Sequence, residues 1–270
     1  MTPTRLKVLK YFLLHQRNGL STKEMLKFFF DTSYSKKAKR KIASIEAEGK
    51  FKKVYFKGYD TPMYYPESMP ITSLERVICE SFYDANWHYY EIPQTRVSPD
   101  DIVVDCGAAE GLFGFIVAPR CKKVYAIEPL KSFCDSLHKT FAQSNNVEIL
   151  QLGLSSQDGY ASISENDIAS SLSIGTGEVK VATLDKLFFE NNIPVNYIKI
   201  DVEGFDVETL KGAKELIKKN KPKIAVTTYH EKSHAEMITE LLLSIVPEYN
   251  IHTKGIYQET GSPVMLHAWV

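Results

Sequence analysis

Residues 102–114 read I-V-V-D-C-G-A-A-E-G-L-F-G, and the fold follows from how this stretch is understood. Ile102, Val103 and Val104 form a short β-branched run that ends in an acid, Asp105, with a glycine loop directly behind it. An apolar run of this length, bounded by glycine, suits a strand buried on both faces of a parallel sheet. Gly107 and Gly111 let the backbone turn tightly and approach a ligand, and the following helix aims its amide end at the same place. In the dinucleotide-binding pattern the glycines are spaced G-x-G-x-x-G, so that amides and helix dipole meet a pyrophosphate. Here the spacing is D-x-G-x-x-x-G-x-x-G, from Asp105 through Gly107 and Gly111 to Gly114. A carboxylate at the strand tip repels phosphate and attracts an ammonium, directly or through water. A Walker loop would end in Gly-Lys-Ser/Thr, which this run lacks.

A ligand with an ammonium and a sulfonium but no phosphate, such as S-adenosylmethionine, matches that loop. Outward from it, strand-like and helix-like segments alternate. Strands are expected at 123–127, 147–152, 197–200 and 223–227, and helices at 112–118, 129–144, 183–190, 207–219 and 233–245. A helix from about residue 73 precedes a strand over 89–96, read from Trp87, Tyr89, Tyr90 and Ile92. Residues 159–165 and 178–182 read as a surface hairpin, and two strands near 249–252 and 264–270 as an antiparallel edge. Such alternation demands an α/β fold, a mostly parallel sheet with helices on both faces and a ligand at the strands' carboxyl ends.

The first 66 residues differ in character. They hold 15 Lys/Arg against 5 Asp/Glu, whereas the 270-residue chain has no net charge. Helices are expected over 4–16, over 22–30 behind a Ser21–Glu24 capping box, and over 35–48, with Ala38, Ile42 and Ile45 inward and Gly49 as the stop. Two strands around Gly58–Pro62 would follow, at 51–56 and 63–65. Three helices and a hairpin predict a winged-helix-like domain over 1–66, a linker and helix over 67–88, and a main domain over 89–270. Lys36, Lys37, Lys39, Arg40 and Lys41 make the third helix either a nucleic-acid recognition helix or a solvated basic face. The four cysteines form no C-x-x-C pair, and no signal-type segment or run of about 18 apolar residues is present. The expectation is a cytoplasmic protein with no membrane segment.

Several residues carry chemistry. Glu128 ends the second strand of the main sheet, where a carboxylate accepts from ribose hydroxyls. Pro129 would wall the adenine and Gly153 close its other side. Asp201 and Glu203 sit at another strand tip, and Lys199, a cation inside an apolar strand, needs a carboxylate partner or an edge. His230 follows the fifth strand, placed to take a proton from an acceptor hydroxyl, with Glu231 and His234 flanking it. Asp201, Glu203 and His230 would also suit a divalent cation such as Mg²⁺.

D-C-G-A-A-E-G, A-I-E-P, V-A-T-L-D and I-K-I-D-V-E-G-F-D-V-E-T-L-K-G-A resemble the FkbM family of S-adenosylmethionine-dependent methyltransferases over about residues 89–230. The resemblance implies the class I methyltransferase (Rossmann-like) fold, with a seven-stranded, mostly parallel sheet. It also implies O-methylation of a hydroxyl on a sugar, glycan or other small metabolite. It places the cofactor motif on Asp105, Gly107, Ala108, Gly111 and Glu128, with Ala109 and Glu110 in the same loop, and a second signature on Lys199, Asp201, Glu203 and Gly204. Two departures stand out: Ala109-Glu110 where relatives commonly carry Asn, and Phe205-Asp206 where they often read Ala-Glu. The alternative is a nucleic-acid methyltransferase guided by residues 1–66. No Asn/Asp-Pro-Pro-Tyr/Phe or Pro-Cys motif for base methylation occurs.

Overall fold

The computed structural model describes residues 3–14, 17–163, 172–174 and 179–270. Helices α1 (Pro3–Leu13) and α2 (Thr22–Phe30) come first. At the start of α2, Ser21 Oγ accepts from the Glu24 amide and the Glu24 carboxylate accepts from the Ser21 amide, satisfying donors that a helix start leaves open. Val8, Phe12, Leu20 and Met25 pack with Trp87 and Ile256, and Phe28 stacks on Trp87 at 4.4 Å between ring centroids.

The third helix is shorter than its residue spacing predicts. α3 covers Tyr34–Lys41, and the expected remainder is strand β1 (Ile42–Glu48), paired antiparallel with β2 (Phe51–Phe56), which pairs in turn with β3 (Met63–Pro66). Gly49 is therefore not a helix stop but, at φ +62°, one of the two residues turning β1 into β2. The partner strand decides this: β2 and β3 bury Val54, Phe56, Met63 and Tyr65, and β-branched Ile42 and Ile45 extend readily beside them. That buried face packs on Leu74, Ile78, Leu112, Phe115 and Leu137, so the N-terminal sheet shares its core with the rest of the chain. Lys37 is buried and ion-paired with Asp31. Lys41 lies 5.0 Å from the centre of the Phe82 ring. Two of the five basic residues of α3 thus turn inward.

Helix α4 (Ile71–Phe82) buries Leu74, Ile78 and Cys79. The strand expected over 89–96 does not form; the chain there is irregular, with a 3₁₀ turn at Pro93–Thr95. Pro93 has no amide to give a ladder. Glu91 instead ties the segment down by accepting from the Val97 amide (2.8 Å) and from Arg120 (2.5 Å).

The main sheet then builds from β4 (Ile102–Cys106), α5 (Leu112–Val117), β5 (Lys123–Ile127), α6 (Lys131–Thr140) and β6 (Val147–Leu150). A side sheet follows: β7 (Gly153–Leu154), β8 (Gly159–Ile163), β9 (Leu172–Ile174) and β10 (Val179–Ala182). β8 and β10 pair antiparallel as expected, and β10 also pairs parallel with β7. Residues 164–171 and 175–178, most of the stretch between the two expected hairpin strands, lie outside the described residues. A helical turn at Asp185–Phe189 precedes β11 (Tyr197–Ile200), α7 (Asp206–Lys211), α8 (Lys214–Asn220), β12 (Lys223–Thr227), α9 (His234–Ile245), β13 (Asn250–Lys254) and β14 (Met265–Trp269). The single helix expected over 207–219 is broken at Gly212, where an added Cβ would lie 2.2 Å from the Ser155 carbonyl oxygen.

The seven strands run β13-β14-β12-β11-β4-β5-β6, with β14 antiparallel to both neighbours and the remaining pairs parallel. Every residue of β11 is buried, as a central parallel strand requires. Chain order reverses at β4, which leaves a crevice at the carboxyl ends of β4, β5, β11 and β12. Among the described residues no helix is long and apolar enough to cross a membrane.

Candidate active site

A cavity of about 670 Å³ lies at those carboxyl ends, a volume suited to a nucleoside-sized ligand. One end is built by the loops after β4 and β5. The amides of Gly107 and Ala108 both donate to the Ile127 carbonyl at 3.0 Å, clamping the two loops together. Gly107 has φ +72°, and a Cβ there would lie 1.9 Å from the Asp201 carbonyl oxygen, so only glycine lets the loops after β4 and β11 cross. Ala109, also left-handed at φ +46°, donates its amide to Glu128 Oε2 at 2.9 Å. The Leu130 amide donates to Glu128 Oε1, also at 2.9 Å. Glu128 is thereby fixed on the cavity wall with one amide on each oxygen. Burial, opposed by those two amides, pushes its carboxyl up to about 7. Pro129, Leu130, Phe133, Leu152, Gly153 and Leu154 continue the wall as an apolar slot. Ala108, Ala109 and Glu110 line the cavity too, and burial also takes Glu110 to about 7.

Two residues of the expected cofactor motif do not reach the cavity. Asp105 is fully buried below the glycine loop, its Oδ1 2.9 Å from Lys199 Nζ. The Lys199 ammonium also donates to the Gly107 carbonyl at 2.5 Å and lies 5.1 Å from the centre of the Tyr90 ring. The charge of Asp105, expected to face an ammonium of the ligand, is answered here by Lys199, and the pair holds the loop in place. Burial raises the Asp105 carboxyl against the pull of Lys199, while its acidic neighbours keep Lys199 charged despite burial. Gly111 is likewise structural. At φ +83° its missing Cβ would meet Leu137 Cδ2 at 2.3 Å, so it seats α5 against α6.

The other end gathers the tips of β11 and β12. Asp201 accepts from Tyr90 Oη at 2.7 Å and from Thr227 Oγ1 at 3.3 Å. Burial works to raise its carboxyl, but His88, Lys199 and His230 overcome it and hold the group below the ordinary carboxylate range. Glu203 and Gly204 both have positive φ, +51° and +98°, and this tight turn delivers Glu203 to His230 Nε2 at 3.1 Å. On the ring's other side, Asp206 Oδ2 lies 3.0 Å from His230 Nδ1. Asp206 is in turn fixed by Thr227 Oγ1 and the Val202 and Gly204 amides. Burial alone would lower the His230 pKa, but the two carboxylates carry it up to about 10. His230 thus has a carboxylate against each ring nitrogen, an arrangement that favours its protonated form. His234 is buried 4.0 Å from Asp206, and Glu231 lies 3.7 Å from His234.

Among the described residues, two donor sets, Asp201/Glu203/His230 and Asp206/His230/His234, hold their ligating atoms within 4.8 Å of one another. His230 belongs to both, and a cation would have to displace its proton and both hydrogen bonds. The arrangement fits an imidazolium better than Mg²⁺. Sequence reasoning expected the helix from about residue 73 but did not place it, or His88, Tyr90 and Asp206, at the site. His88 Nε2 lies 3.3 Å from Tyr229 Oη and 3.8 Å from Asp201. His88 and Tyr90 fall in the W-H-Y-Y run at 87–90, whose aromatic alternation looks like a strand. Asp206 showed in the sequence only as a departure from relatives.

A seven-stranded sheet of this order, with a cavity at the point where chain order reverses, is the class I methyltransferase fold. The sequence profile of the methyltransferase FkbM domain matches residues 105–250. The chain belongs to the FkbM family of S-adenosylmethionine-dependent methyltransferases. It is 31% identical over 120 residues to the hexuronic acid methyltransferase AglP of Haloferax volcanii, a match covering 42% of this chain and 50% of that protein. It therefore spans about half the length of that curated relative. The crystal structure of methyltransferase FkbM from Methylobacillus flagellatus KT superposes with a TM-score of 0.51 at 22% identity, covering 74% of this chain and 56% of that one.

Proposed function

We propose that the protein transfers a methyl group from S-adenosylmethionine to a hydroxyl of a sugar or related small metabolite. The observation that carries this is one cavity with Glu128 and an apolar slot at one end and the Asp201–Glu203–His230 cluster at the other. The similarity to a hexuronic acid methyltransferase supports a sugar acceptor. The residues fit the cofactor: each Glu128 oxygen keeps a lone pair for a ribose hydroxyl, and the slot after it suits adenine. When bound, the cofactor supplies a methyl group on a sulfonium, a leaving group that needs no proton.

The protein's own task is alignment, exclusion of water and removal of the acceptor's proton. Asp201, ionised and anchored by Tyr90 and Thr227, accepts a hydrogen bond from the acceptor hydroxyl and orients it. Glu203, with a third of its side chain exposed, takes the proton. His230, held by Asp206, stays positively charged and steadies both carboxylates. Lys199 is a positioning residue, setting the glycine loop through Asp105 and Gly107.

The nucleic-acid alternative has less to stand on, since Lys37 and Lys41 turn inward and leave Lys36, Lys39 and Arg40 exposed on α3. Isothermal titration with S-adenosylmethionine tests the cofactor assignment: Glu128→Ala should weaken binding tenfold or more, about 1.4 kcal/mol. Binding of NAD in its place would overturn it. Label transfer from methyl-tritiated cofactor to sugars and to RNA tests the acceptor class, and salt-sensitive methylation of RNA alone would favour the alternative.

A further inference from the structure

One wall of the cavity comes from neither the glycine loops nor the acid cluster. Helix α4 turns Ser73, Arg76, Val77, Glu80 and Ser81 toward it, the spacing of a single helical face, while Leu74 and Ile78 bury the adjoining face in the core. This helix precedes residues 105–250, the stretch that matches the family profile. Arg76 is exposed and makes no hydrogen bond or ion pair to any described residue. The other cations on the wall are already engaged, Lys199 by Asp105 and His230 by Asp206 and Glu203. One turn along, Glu80 also has no hydrogen bond to a described residue. It lies within electrostatic reach of Arg76 on one side and of His88, Asp201 and Glu203 on the other. Tyr229 and Tyr257 also line the cavity, with ring centroids 5.1 Å apart.

We propose that α4 reads the methyl acceptor, and that the acceptor is a sugar acid: Arg76 pairs with its carboxylate and Glu80 accepts from its ring hydroxyls. The proposal rests on the sugar reading above and narrows it. The chemistry is specific. A guanidinium presents parallel N–H donors that match a carboxylate in a two-point contact. The cavity otherwise carries Glu80, Glu110, Glu128, Asp201 and Glu203, so an anionic sugar entering it meets repulsion unless a free cation receives it. A neutral sugar has no use for that cation. The two tyrosine rings offer apolar faces to the C–H side of a pyranose.

The test compares methyl glucuronoside with methyl glucoside, using wild type, Arg76→Ala, Arg76→Lys and Glu80→Gln. Two readouts are needed: kcat/KM for methyl transfer, and direct calorimetric binding of each sugar with S-adenosylhomocysteine present. Wild type should prefer the glucuronoside about tenfold or more, about 1.4 kcal/mol. Arg76→Ala should bring that ratio to near one and Arg76→Lys should retain part of it, while the cofactor Kd of each variant shows that the fold is kept. Glu80→Gln should weaken binding of both sugars. If wild type uses both sugars equally, or Arg76→Ala keeps the preference, the α4 assignment fails and the sugar reading stands. If neither sugar binds or is methylated, the sugar reading fails and takes this inference with it.

Discussion

Asp105→Asn separates a residue that works through the fold from one that touches the cofactor. Asp105 is 0% exposed and Lys199 4%, and their charged atoms are 2.9 Å apart. Removing one charge leaves the other buried and unanswered, which costs about 3–5 kcal/mol. For a chain of this size each kcal/mol moves the melting temperature by roughly 2–4 °C, so a fall of roughly 6–20 °C is expected. Lys199→Met should cost a similar amount. The double variant should cost clearly less than the sum, because neither charge is then stranded, with a coupling of roughly 2–3 kcal/mol. Urea unfolding of the cofactor-free protein measures all four corners, and an unchanged m-value shows that the unfolded states compare. Cofactor binding is then titrated on whichever variants stay folded. The reasoning is refuted if Asp105→Asn costs under about 1 kcal/mol yet abolishes cofactor binding, for Asp105 would then act on the ligand itself.

Burial pushes the Glu128 and Glu110 carboxyls up to about 7, above the ordinary glutamate value, so burial of their charge opposes folding. Stability of the cofactor-free protein should therefore fall as pH rises from about 4.5 through 7, while affinity for the cationic cofactor rises over the upper part of that range. Titrations at pH 6 and 8 check this, and Glu128→Gln should flatten the profile. His230 runs the same sign over a higher window. Its pKa, raised to about 10 from about 6.5 in the unfolded chain, gives stability that is complete below about 6.5 and lost as pH climbs through 10. Denaturation midpoints of wild type should thus fall across that window and those of His230→Ala should not. Among the glycines, Gly107→Ala should disrupt the site more than Gly111→Ala. The first sets a Cβ 1.9 Å from backbone, the second 2.3 Å from a leucine side chain that can rotate; cofactor Kd and melting temperature rank them.

How far the chain discloses itself differs from segment to segment. Strands 123–127, 197–200 and 223–227 form over the residues their apolar runs mark, because a strand buried on both faces is mostly apolar, with Lys199 tolerated in the middle of its strand because Asp105 answers it. The capping box at Ser21 forms because both partners lie within one helical turn. Residues 42–48 mislead, since their spacing allows a helix and only the neighbouring β2 makes extension the better choice. Residues 89–96 mislead the other way, since Tyr90 and its neighbours satisfy contacts at the cavity rather than a ladder.

The site divides along the same line. Residue order alone was enough for a Rossmann-like sheet, the glycine loop, Glu128 on its wall and the Asp201–Glu203–His230 grouping, because each rests on contacts set by strand ends and tight turns. Which charge answers which was settled only by the packed chain. Asp105 looks outward until Lys199 is seen beneath the loop, His230 looks basic until Asp206 and Glu203 are seen on both nitrogens, and α4 looks like a connector until its polar face closes the cavity. Charges separated by many residues in sequence interact through distance and desolvation, and neither quantity exists before the fold brings the groups together.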